Sequence, residues 1–141
     1  MSIKGFEYAA PGIGNVGSYL ISGIPFVTGG LSAPSSSATP IVVTFPSVTQ
    51  RFWVHVGDGS KKLRVGFSAN GVKNTNYFVV DGDASNNTSQ VQEFRVRCDK
   101  VFLLGDDAAS NTTKISIMGE LTGIVAGFDV AASYSGSAGI G

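Results

Sequence analysis

Phe52, Val54 and Val56 alternate along the chain with Arg51, Trp53 and His55, and the alternation resumes with Leu63, Val65 and Phe67 after the turn residues Gly57, Asp58, Gly59 and Ser60. A period of two marks a strand with one buried face, because successive side chains leave the pleat on opposite sides. The stretch Val48–Ser68 therefore reads as two strands joined by a short turn, a β-hairpin. Pairing Val56 with Leu63 sets Phe52 against Phe67 and Val54 against Val65 on the core face. It also lays Trp53 across from Gly66 and His55 across from Arg64. A slip of one residue would turn every apolar group to the wrong side, so inside and outside are fixed here for the whole sheet.

The rest of the chain repeats the pattern. Strand-like runs cover residues 18–28, 41–45, 48–56, 63–68, 77–80, 91–98, 101–104 and 114–124, with Gly, Pro, Asn and Asp clusters between them. Residues 69–76, which contain an Asn-Gly pair, read as a turn, and 83–89 as an exposed polar loop. In the run from Val91 to Cys98, Phe94, Val96 and Cys98 point inward, while Glu93, Arg95, Arg97 and Asp99 point outward. No ten-residue segment carries a helical apolar stripe. Many short strands with such turns give an all-β, two-layer antiparallel sandwich, and eight of them fit a single jelly roll. An immunoglobulin-like sandwich is the alternative, although its Cys…Trp…Cys spacing is missing. The expected organisation is an N-terminal arm over 1–17, the sandwich over 18–125 and a Gly/Ser-rich C-terminal tail over 126–141.

Charge narrows the function. The 141 residues include ten basic and ten acidic ones, so no basic excess exists for a phosphate-neutralising groove, and direct nucleic-acid binding is not expected. From Tyr8 to Gln50 no residue is charged. Gly, Pro, Ser and Thr are too frequent there for a membrane span or a helix. Pro25 makes the first strand an edge strand or a bulged one, and an edge without Lys or Glu invites pairing with another chain. Residues 8–50 are thus expected to lie in an intersubunit contact. The absence of a charged, apolar leader argues against a secretion signal. One cysteine, Cys98, allows neither an internal disulfide nor a cysteine-based zinc site within one chain, and reads as a small buried hydrophobe.

Motifs with chemical meaning fare poorly. Residues 12–17 (GIGNVG) match a dinucleotide-binding fingerprint, but Pro11 precedes them, a strand-like run follows, and no acidic residue stands about twenty positions on. They read as a glycine-rich turn, with no cofactor. His55, the one histidine, would need a serine and a carboxylate from other strands to act as a base, and its expected neighbour Arg64 makes it a poorer one. Asp81 with Asp83, or Asp106 with Asp107, could hold calcium, but Asn86 and Gln92 stand where the twelve-residue calcium loop needs Gly and Glu. No metal is expected. Asn86, Asn87 and Asn111 stand in glycosylation contexts and are read as bare. The candidate recognition surface is Arg51, Trp53, His55 and Arg64, with Tyr19 and Phe26 from the uncharged segment. An exposed aromatic there can fill a partner's pocket or stack on a sugar.

The order RFWVHVGDG, LRVGFSANGV, NYFVV, QEFRVRCDKVFLL, ISIMGELTGI resembles small structural proteins of large double-stranded-DNA viruses and tailed phages. In those, a strand of the form R/K-V-x-C-x-x-V/I-F/Y-L (here Arg95–Leu103) precedes a final strand ending x-L-T-x-I (here Leu121, Thr122 and Ile124). The likeness spans residues 16–125 and consists of packing patterns. It implies a jelly-roll penton, minor-capsid or head-decoration subunit without catalytic residues, located in the virion. Its expected partners are copies of itself, as pentamer or trimer, and other capsid proteins. The competing expectation is a lectin-like module that reads glycans through Trp53 and the loops 69–76 and 81–89. A hydrolase built on His55 is the third.

Overall fold

In the structure, a computed structural model that describes residues 23–82, 90–125 and 138–141, every inward residue of the 48–67 stretch except Phe67 is fully buried. Eight strands form: β1 (Ile24–Ala33), β2 (Ile41–Thr44), β3 (Ser47–Val56), β4 (Lys62–Gly66), β5 (Phe78–Asp81), β6 (Gln90–Phe94), β7 (Lys100–Gly105) and β8 (Thr112–Val125). They make two four-stranded antiparallel sheets, ordered β1-β8-β3-β6 and β2-β7-β4-β5. This alternation of early and late strands between two layers is a jelly roll. An immunoglobulin sandwich places its first two strands side by side in one sheet, whereas here β1 and β2 lie in different sheets.

The expected hairpin does not exist. β3 is flanked by β8 on one side and β6 on the other, so both of its hydrogen-bonding edges are taken and β4 crosses to the opposite sheet. Val56 sits opposite Gln90 and Ile115 rather than Leu63, Trp53 opposite Glu93 and Met118 rather than Gly66, and His55 opposite Val91 and Ser116 rather than Arg64. The crossing is held by Gly57, whose N–H donates to the Lys114 carbonyl at 2.9 Å, and by a turn in which Lys61 N–H donates to Asp58 O at 3.2 Å. Phe52 and Phe67 do meet, with ring centroids 6.4 Å apart, but through the core between the layers. Phe52 also stacks on Phe94 at 5.0 Å and touches Phe45 at 5.8 Å, which joins both sheets through one ring.

Other boundaries moved for local reasons. β1 runs to Ala33, beyond the expected end at 28, because two irregularities absorb its glycines and serine, one of them at Gly30 with φ of +68°. β6 ends at Phe94, earlier than 98. Beyond it the Thr49 backbone N–H still donates to the Cys98 carbonyl at 2.8 Å, and the Thr49 hydroxyl supplements that bond, donating toward the carbonyls of Val96 (2.8 Å) and Cys98 (3.1 Å) while accepting from Cys98 N–H (3.2 Å). Asp99, expected outside, is buried. Residues 69–73, expected as part of a turn, form a short helix, α1 (Ala69–Lys73), capped by the Ser68 hydroxyl, which accepts from Gly71 N–H at 2.9 Å. α1 lies on the outer side of β4 and β7. A side chain at Gly66 would press on Val72, so the glycine lets the helix approach the strand.

Candidate interaction surface

Two surfaces are assembled by this topology. The first is a flank. β1 and β2 are the edge strands of their sheets and lie on the same side of the sandwich, with β5 and β6 paired off on the other side. The β5–β6 side carries Asp81 and Glu93. Among the described residues, strands β1 and β2 on the other side carry no charge, and Ile24, Val27 and Val42 on them are 60%, 68% and 47% exposed. Bulges interrupt β1 beyond Thr28, so the regular part of its edge, unpaired among the described residues, is Ile24–Thr28.

The second surface is the outer face of the β1-β8-β3-β6 sheet. Val27, Met118, Trp53 and Glu93 follow one another across four strands in register. Trp53 and His55, with Val27, Val91, Ser116 and Met118, line a shallow depression of about 270 Å³. One row away, the Arg51 guanidinium donates from Nε to Glu120 Oε2 at 2.8 Å, reaches Glu93 Oε1 at 3.4 Å and stands 5.4 Å from the Trp53 ring centre. Its hydrogen bond to Glu120, opposed by partial burial and helped by Glu93, holds the guanidinium above its ordinary pKa. Arg95 Nε reaches the same Glu93 oxygen at 3.2 Å. These charges are mutually satisfied, which leaves the apolar depression as the part of the face open to a partner.

The sequence candidates divide accordingly. Arg51, Trp53 and His55 share this face. Arg64 belongs to the other sheet, where Nε donates to Asp106 Oδ1 at 2.7 Å and the guanidinium lies 4.3 Å over the Tyr77 ring. Phe26 turns inward, edge-on to Phe45 at 5.1 Å, and is half-buried against the core. Tyr19, the glycine-rich run 12–17, Asp83, Asn86 and Asn87 lie outside the described residues. Val91, Ser116 and Met118 complete the depression, and strict alternation from Glu93 and from Ile117 turns Val91 and Met118 outward in the sequence alone.

The catalytic and metal readings gain little. Ser116 faces His55 across the ladder, and among the described residues no carboxylate lines their depression. Asp106 is engaged by Arg64, and Asp107 by the Ala109 N–H, the Lys61 ammonium and the Ser110 hydroxyl, which together hold its carboxyl well below the usual range. No group of three or more metal-ligating side chains gathers among the described residues. Among them, no helix is long and apolar enough to cross a membrane. Cys98 is buried, and burial pushes its thiol up to about 11 despite its contact with Thr49 Oγ1 at 3.5 Å.

No protein-family model matches the chain, and no curated protein matches it. Among solved structures the chain is similar to one from Bacillus endospore appendages, described as a novel family of disulfide-linked pili. The likeness has a TM-score of 0.36 at 15% identity, over 83% of this chain and 98% of that one, and is too slight to bear on function.

Proposed function

We propose that the chain is a non-enzymatic structural subunit, of the virion coat type, that works by packing one jelly roll against another through the β1–β2 flank. The observation that carries this reading is the pair of edges that have no charged guard among the described residues. Two uncharged edge strands on one flank, with Ile24, Val27 and Val42 exposed, form a template for strand pairing that soluble monomers ordinarily blunt with charge. Copies of the chain, as pentamer or trimer, or other coat proteins would cover it. The jelly-roll strand order and the resemblance over residues 16–125 support the narrower assignment to a penton, minor-capsid or decoration subunit.

Sedimentation of the purified chain tests the assembly. It is expected to form a discrete oligomer that the double substitution Val27→Lys/Val42→Lys dissociates, with an unchanged far-UV spectrum. A wild-type chain that stays monomeric at its highest soluble concentration would overturn the reading. Finding the chain at symmetric positions in a particle reconstruction tests the virion assignment.

The depression at Trp53 favours one second reading, a glycan-binding module, since an aromatic ring beside His55 can stack on a sugar. Residues 69–76 cannot take part in it, because α1 covers the opposite sheet. Loss of glycan-array signal on Trp53→Ala, with the oligomer intact, would support that reading.

A further inference from the structure

The segment Ala138–Gly141 returns to the jelly roll and seats itself against α1. The buried Ser68 hydroxyl donates to the Ile140 carbonyl at 2.9 Å while accepting from Gly71 N–H at 2.9 Å, so one side chain fixes both the helix cap and the incoming segment. Gly71 is the floor of the contact. A Cβ there would collide with the Ile140 carbonyl oxygen, and the Gly71 backbone lies within 3.0 Å of where a Cβ on Gly141 would stand. The segment is shaped for this seat, since Gly139 and Gly141 adopt φ of +83° and +89°, which L side chains rarely enter. Gly139 and Ile140 then wall a depression of about 690 Å³ whose other side includes Thr49, Phe67 and Arg95.

From these contacts we infer that the notch between Ser68, Gly71 and Asn76 is a peptide-binding site whose ligand is the chain's own Gly-Ile-Gly segment, a reading that does not depend on how copies assemble. Recognition is of backbone shape. Ser68 takes a carbonyl, and the glycines at 71 and 141 allow two backbones to approach without a side chain between them, while Gly139 supplies the positive φ that turns the segment into the notch. The site reads a segment and not a connection, so it accepts the same segment supplied by a separate molecule.

The test leaves the jelly roll untouched by placing the substitutions in the segment. In the full chain carrying Gly139→Ala/Gly141→Ala, the segment is expected to leave the notch. Alanine at 139 meets nothing within 4 Å, so at that position only the positive φ works against it. The amide resonances of Ser68, Gly71 and Asn76 should then move away from their wild-type positions. Adding a synthetic Gly-Ser-Ala-Gly-Ile-Gly peptide should return them saturably, while a peptide with the same two alanines should bind at least about fivefold more weakly. The wild-type chain, with its notch filled, should show no response to the peptide. Unchanged resonances in the double variant, or no saturable response to the peptide, would overturn the inference.

Discussion

Thr49 concentrates several contacts in one side chain. It is fully buried where β3 parts from a regular ladder, and its hydroxyl serves Val96 O, Cys98 O, Cys98 N–H and the Cys98 thiol. Thr49→Val keeps the shape and removes that service, leaving the Cys98 N–H without its partner. Urea unfolding should show a loss of about 1–3 kcal/mol with an unchanged slope. The adjacent thiol gives a pH prediction. Its folded pKa, near 11, lies above the ordinary value of 9.0, so the native state holds its proton where the unfolded chain loses it. That raised value helps stability fully below pH 9.0, and the help is lost as pH rises through about 11. Stability measured across that window should fall, and the fall should be smaller in Cys98→Ala. In the native chain at neutral pH, a thiol reagent should leave Cys98 unmodified until denaturant is added.

At the scale of strands, Gly30 offers a clean measurement. It sits in the β1 bulge at φ of +68° with nothing within 4 Å of an added Cβ, so Gly30→Ala costs only backbone strain, about 1–2 kcal/mol by thermal unfolding. The strands also show what the sequence could and could not convey. Alternation assigned Phe52, Val54, Val56, Leu63 and Val65 to the interior correctly, because the pleat sends side chains to alternate faces whatever the neighbouring strand is. Pairing is a different kind of information. Residues 57–61 are short enough for a hairpin, but the edges of β3 were claimed by β6 and β8, one of which is almost sixty residues away in sequence at Ile115–Ser116. The same gap misplaced Arg64: its outward direction was legible, and the sheet it belongs to was not. It also hid the union of Trp53 with Met118 and Val91, which only the strand order brings together.

For the whole molecule, the placement of β1 and β2 on one flank turns a compositional oddity into a geometric one. A run without charge from residue 8 to 50 could have been scattered through a fold, yet its described strands β1 and β2 become two edges of one side, while Arg51, Glu93 and Glu120 sit on the face of a sheet. The two surfaces respond differently to solvent. Screening at about 0.5 M sodium chloride shortens the reach of charges to a few ångströms and has no grip on an uncharged edge. Excluded salts such as sulfate strengthen apolar burial, and cooling weakens it. If copies join through the flank, the oligomer should persist from low to high sodium chloride, gain stability in ammonium sulfate and loosen toward 0 °C. Sedimentation velocity across those conditions reads all three responses. Dissociation by sodium chloride alone would instead assign the contact to the Arg51–Glu120–Glu93 face, where each ion pair is partly open to solvent and exchangeable with a neighbour's charges.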